Sequence, residues 1–270
     1  MDRDARGGSD YGRAEGRDLG DEPPAGLRDT APDVLAPIDA SSPVSGHVAG
    51  WGQAPAAPSI AESPEHDWTA AAPLLFPLLR PSGTHGIPVT EIDAATLATE
   101  SLRTHSSPLL DEGPCDLSVV YAMPGIGFDV IVNADHLLSW GVSVVDIQDA
   151  ALRNLAAWSA TAAWTDEVSG ERRLISSDTG DGWDAARILL TDVRDRLTAE
   201  LGGAGRVLIG LPERHLLIAG ALQPGDDEFA SLFAEFVVES SGGADEPVDR
   251  RVFELVDGQL VEFSGLPTPA

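Results

Sequence analysis

The run RVLIGLPERHLLIAGAL, residues 206–222, is two apolar stretches joined by Pro212, Glu213, Arg214 and His215. Apolar runs of strand length joined by a short polar link containing proline read as a β-hairpin. The same reading applies three more times. LSVVYAM and FDVIVN flank Pro124–Gly127, AAWTDEV and ERRLIS flank Ser169-Gly170, and RVFELV and QLVEF flank Asp257-Gly258, a strong two-residue turn.

Between the hairpins the period changes from two to about 3.6. Ser143 is a helix N-cap with Asp146 three residues on, and Ile147, Ala151, Leu155 and Trp158 share the face that follows. Ala186, Leu190, Val193, Leu197 and Leu201 predict a second helix, stopped by Gly202-Gly203. Phe229, Leu232, Phe233, Phe236 and Val237 predict a third, with Asp226, Asp227 and Glu228 suited to its positive N-terminal end. The order hairpin, helix, hairpin, helix, hairpin, helix, hairpin predicts an α+β fold in which antiparallel β-hairpins alternate with helices.

Upstream, order is expected to begin near Trp68. In DWTAAAPLLFPLLRP, Pro73 and Pro77 forbid one regular helix and predict a short helix followed by an extended stretch. VTEIDAATLATESLR predicts a further short helix capped by Thr90. Residues 1–67 are rich in Gly, Pro and Ala without apolar periodicity, and read as a disordered acidic tail. Residues 68–270 read as a single α+β domain.

The chain has 270 residues, 43% of them hydrophobic, enough to form a core. No apolar run reaches the roughly 20 residues that span a bilayer, and the N-terminus lacks the apolar region of a secretory signal. One cysteine, Cys115, leaves no internal disulfide and no multi-cysteine zinc site. These features predict a cytoplasmic protein. Lysine is absent, and the abundance of Ala, Gly, Arg, Asp and Pro suits a high-GC bacterial genome. The net charge is −27, of which residues 1–67 carry −8 from 13 acids and five arginines. Such a charge repels phosphate backbones and anionic membranes, so neither nucleic acid nor a membrane is expected as partner. Plain solubility is the simpler reading of this charge, and another protein, a basic one, is the functional reading.

Three stretches, HLLSWGVSVVDIQDAALRNLAAWS, DTGDGWDAARILLTDVRDRL and RVLIGLPERHLLIAG, together resemble the YtpQ-like family of bacterial proteins, a family of unknown function. The resemblance covers about residues 115–263. It rests on Trp140-Gly141-Val142 before a helix, Asn154-Leu155 within it, Asp181-Gly182 before the next, and Gly210-Leu211-Pro212 with Arg214 ahead of a strand. The family pattern often carries an acid after that arginine, where this chain has His215. The resemblance implies a cytoplasmic bacterial protein and supplies no catalytic residues.

Two loops carry the candidate binding residues. In Glu213, Arg214 and His215 a guanidinium could clamp a carboxylate or phosphate, with an imidazole beside it. Strand alternation, however, sends Arg214 and His215 to opposite faces, which favours a plain hairpin connection, or an arginine that reaches inward to pair a buried acid. In DTGDGWD, Asp178, Asp181 and Asp184 offer hard oxygen ligands, but at positions one, four and seven rather than in EF-hand spacing, so capping of the next helix is the simpler reading. Trp183 reads as a packed anchor rather than a stacking platform. His136 and Trp140 fall on one helical face and read as core or rim. No two of the six histidines stand at ligand spacing, so neither metal nor cofactor is expected. No G-x-S-x-G, Walker A or complete dinucleotide fingerprint is present, and the acid beside Cys115 works against a reactive thiolate. The leading expectation is a non-enzymatic protein-binding module. The competing one is a small enzyme or ligand-binding domain at Arg214 and the Asp178–Asp184 loop.

Overall fold

The computed structural model describes residues 64–92, 106–125, 128–203 and 205–265. The expected tail over residues 1–67 and the helix expected after Thr90 lie almost wholly outside these.

After a 3-10 turn at Pro64–His66 comes the short helix α1 (Trp68–Ala71), capped by the Asp67 carboxylate, which accepts from the Thr69 amide. A 3-10 turn at Pro73 ends it, and β1 (Phe76–Arg80) follows, as the two prolines require. β1 lies in a five-stranded sheet with β2 (Ile87–Pro88), β3 (Leu109–Glu112), β4 (Ser118–Pro124) and β5 (Asp129–Ile131). β4 and β5 form the expected antiparallel hairpin, and β4 also pairs antiparallel with β1 and β3. The two-residue contact of β2 with β3 is parallel, which no hairpin reading anticipates.

The helix α2 (Ala134–Trp140) and the longer α3 (Val144–Ser159) come next. Gly141 ends α2 at φ 65°, a conformation that suits a residue without Cβ. Ser143 and Asp146 close the capping box at the start of α3. Ile147, Ala151 and Leu155 are buried as their spacing demands.

The remaining three hairpins join edge to edge. β6 (Thr165–Ser169) with β7 (Arg172–Ser177), β8 (Arg206–Glu213) with β9 (Leu216–Leu222), and β10 (Val252–Val256) with β11 (Gln259–Glu262) form one antiparallel sheet ordered β11-β10-β8-β9-β7-β6. Helix α4 (Thr191–Leu201) precedes β8, and α5 (Asp227–Gly243) follows β9.

The second helix expected from the sequence is corrected by the structure. Ala185–Leu189 is a 3-10 turn, and Leu190 is extended (ψ 126°) before α4 starts. Arg194 reaches back to donate to the Ile188 and Leu189 carbonyls, which a continuous helix would have used internally.

The large sheet is buried on both faces at its centre. Val207, Ile209, Leu217, Ala219 and Phe253 point into the main core with α3, α4 and side chains of the small sheet. Leu208, Ile218, Leu222 and Val252 point the other way, against Phe229, Phe233 and Val237 of α5. Gly210 and Gly220 lie under α5. A Cβ on Gly210 would stand 2.5 Å from Val237 Cγ2, and one on Gly220 would stand 2.9 Å from Phe229 Cζ, so the bare backbone lets the helix settle close to the sheet. Among the described residues no helix is long and apolar enough to cross a membrane.

Candidate functional site

The link Glu213–His215 is a tight connection between β8 and β9, with Glu213 opposite Leu216. Pro212 cannot donate to the ladder, and the register shifts between Gly210 and Glu213. The chain after α5 completes this end of the sheet: the amides of Val248 and Asp249 donate to the Pro212 and Leu211 carbonyls.

Arg214 points inward and is 8% exposed. Its Nη1 donates to Asp129 Oδ2 at 2.6 Å and to Glu246 Oε2 at 2.7 Å, and its Nε donates to the Gly182 carbonyl at 3.3 Å. Arg80 Nη1 holds the other oxygen of Glu246 at 3.0 Å. The guanidinium lies 5.4 Å from the centre of the Trp183 ring, and that indole stacks on Phe76 at 4.5 Å. Burial disfavours the charge on Arg214, but the hydrogen bonds to Asp129 and Glu246 outweigh it and its pKa is raised. Burial also disfavours ionisation of Glu246, and the bonds from Arg214 and Arg80 again win, so its pKa is lowered. The arginine therefore ties together β5, the β8–β9 turn and the segment after α5.

The two candidate loops do meet at one end of the sheet, through Gly182 and Trp183 against Arg214. A Cβ on Gly182, at φ +84°, would stand 2.5 Å from Arg214 Nη2. Their carboxylates nevertheless do not converge. Asp178 is exposed and faces a different surface. Asp181 accepts from Trp158 Nε1 at 3.0 Å. Asp184 is fully buried, and its oxygens accept from Ser177 Oγ at 2.5 Å, from Thr179 Oγ1 at 2.9 Å and from the Thr179 amide at 3.2 Å. Asp184 stands at the head of the 3-10 turn but makes no side-chain cap there, which corrects the capping expectation. Its oxygens are taken instead by the hydroxyls of Ser177 on β7 and Thr179 in the loop and by the Thr179 amide. Trp183 is 6% exposed and is the packed anchor.

Glu213 and His215 are half-buried at the outer side of the turn, on a concavity of about 500 Å³ shared with Glu239 and Asp245. A second concavity of about 550 Å³ opens over Arg80, Asp129, Arg214 and Glu246, beside an exposed Phe128. Both guanidiniums at its floor are already paired with carboxylates, so it offers no uncommitted charge of either sign there.

A second fully buried charge escaped the sequence reading. Arg187 has no exposed surface. Its Nη2 donates to the Ser159 carbonyl at 2.7 Å, its Nη1 to Ser177 Oγ at 2.6 Å and the Ala163 carbonyl at 3.2 Å, and its Nε to Ser159 Oγ at 3.0 Å. The indole rings of Trp164 and Trp158 lie 3.8 Å and 5.3 Å from the guanidinium carbon. Burial lowers its pKa to about 10, so it remains a cation at neutral pH. Ser177 links it to Asp184, donating to the acid while accepting from the arginine. The available signal was an arginine inside the apolar run AARILL, a position where a free charge would be costly.

His136 Nδ1 accepts from the Asn133 amide at 3.1 Å, its own amide donates to Asn133 Oδ1 at 3.2 Å, the ring packs on Trp140 at 5.0 Å, and burial lowers its pKa. Burial likewise raises the pKa of Cys115, whose Sγ donates to the Leu260 carbonyl. Among the described residues no three His, Cys, Asp or Glu side chains gather as metal ligands.

A mainly apolar opening lies elsewhere, on the α5 side of the large sheet. It is a groove of about 450 Å³ between α5 and strands β7 and β9, lined by Leu174, Ile218, Phe229, Leu232, Phe233 and Phe236. Leu232 and Phe236 belong to the apolar stripe that predicts the third helix, and they are 50% and 43% exposed. No family model, no curated protein and no solved structure matches this chain.

Proposed function

We propose that this protein is a non-enzymatic module that binds another protein, and that the groove beside α5 is part of its binding surface. The observation carrying this reading is the groove itself: large apolar side chains of a regular helix face water on an otherwise strongly acidic molecule. The charged groups that chemistry would need support it from the other side. Arg214, Arg80 and Asp184 are engaged by partners within the chain and hold the fold together.

The alternative is a small-molecule or catalytic site at Arg214 and the Asp178–Asp184 loop. It draws support from the meeting of the two loops, and is weakened by the divergence of the three aspartates and the internal pairing of the arginine. A cytoplasmic setting accords with both readings.

The test is capture by the tagged protein from its host's lysate, followed by titration of each purified captured protein against the wild type. A saturable complex supports the reading. Turnover of a metabolite by the purified protein, or a retained small molecule released by Arg214→Ala, overturns it in favour of the pocket.

A further inference from the structure

The large sheet carries six strands, but among the described residues α5 is the one helix on that face. Gly210 lies beneath Val237 and Phe233, and Gly220 beneath Phe229 and Phe233, so α5 runs along β8 and β9. Strands repeat about every 4.8 Å and packed helices about every 8–10 Å. One helix spacing from β8 therefore falls over β7, two strands away in the order β8-β9-β7-β6. That lane is where the groove lies, with Leu174 of β7 and Ile218 of β9 as its floor and Leu232 and Phe236 as its wall. A helix of about the length of α5, ~25 Å at 1.5 Å per residue, would fit alongside it.

Apart from the paired Arg172, the charges around the lane are acidic. Glu228, Glu235 and Glu239 fall on the α5 flank that carries Leu232 and Phe236, at helical offsets of three and four, and all three are exposed. Glu167 and Asp178 stand on the sheet side of the groove. Arg172, two positions before Leu174, is already bound by Asp226 and Glu228. A second copy of this chain, at net charge −27, would bring like charge to this rim, and so would the N-terminal stretch at −8.

We infer that the groove beside α5 is a docking lane for an amphipathic helix of a partner protein, with an apolar stripe flanked by lysine or arginine. This rests on the protein-binding reading above and names the partner's chemistry. The partner's stripe covers Leu174, Ile218, Leu232 and Phe236, while its cations meet Glu235 and Glu239 of α5 and Glu167.

The probes are four fluorescein-labelled peptides of about 17 residues, followed by anisotropy against the full-length protein. One has Leu on one helical face and Lys on the other, and one keeps the Leu stripe with Glu instead. The third scrambles the Lys/Leu peptide at constant composition, and the fourth alternates Val with Lys to favour an extended strand. The Lys/Leu helix is expected to bind at least tenfold more tightly than any other. Its affinity should fall at least tenfold in the Leu232→Glu, Phe236→Glu double variant, whose two sites are half exposed and so tolerate the change in the folded state, checked by circular dichroism.

Equal binding of the scrambled or extended peptide overturns the inference, as does unchanged affinity in the double variant. So does a wild-type dimer, seen by sedimentation, that the double variant abolishes. A captured protein partner that binds the double variant normally overturns the docking lane while the protein-binding reading stands. Failure of both peptides and capture removes both.

Discussion

Replacing Arg187 with leucine tests whether the buried guanidinium organises this fold or merely sits in it. Leucine fills much of the volume but donates nothing. The carbonyls of Ser159, the last residue of α3, and of Ala162 and Ala163 just beyond it lose their shared donor, and so do the hydroxyls of Ser159 and Ser177. Losing a hydrogen bond to a charged group costs about 1.5–3 kcal/mol, and a desolvated contact over indole is worth about 2 kcal/mol. These losses are not additive, and removing the cation also recovers its desolvation penalty. Breaking a buried charged cluster from one side costs about 3–5 kcal/mol, so about 4 kcal/mol is expected here. In urea, with a slope of about 2 kcal/mol per M, the unfolding midpoint should drop by about 2 M. Arg187→Lys keeps the charge but loses the planar fork and should lose about half as much. The assay is equilibrium urea unfolding followed by the fluorescence of the tryptophans around the site. A leucine variant within about 1 kcal/mol of wild type, or more stable than it, would refute the reasoning, because desolvation would then outweigh all the bonds.

Other expected outcomes concern packing and pH. Gly210→Ala should cost about 1–3 kcal/mol by pushing Val237 off β8, whereas Gly242→Ala, near the end of α5 with nothing within 4 Å of the new methyl, should stabilise by about 0.5 kcal/mol; equal effects in urea would remove the close-approach argument. Gly182→Ala should cost about 2 kcal/mol or more, from its positive φ and the displacement of Arg214, and the same unfolding assay decides it. Glu246 and Asp226 have pKa values lowered in the folded state, so their contribution is present above the unfolded values, about 4.3 for the glutamate and about 3.9 for the aspartate, and is lost as pH falls through the folded ones. Urea midpoints should therefore fall as pH drops below about 4.5, and Glu246→Gln should make that fall shallower; an unchanged slope would mean that the Arg214–Glu246 pair does not couple to folding.

What the amino-acid sequence determined by itself is the list of parts and their local punctuation. Asp257 and Gly258 both take positive φ, 50° and 73°, as their two-residue turn requires. Ser143 and Asp146 close the expected capping box, and the α+β order of hairpins and helices holds from β4 to β11. These signals act within a few residues, where a side chain's own stereochemistry and its nearest amides decide the outcome. Tertiary structure alone decided that three hairpins share one sheet while the fourth joins β1 and β3 in another. Strand edges carry generic donors and acceptors, and nothing in a local pattern says which edge meets which. It also decided the fate of the charges. Arg214 turns inward because Asp129 and Glu246 arrive from 85 and 32 residues away, and Arg80 reaches Glu246 across 166. It left Leu232 and Phe236 facing water because α5 covers β8 and its near neighbours but not β7. A helical period says which side chains share a face, and only the packed sheet beneath says how much of that face is covered.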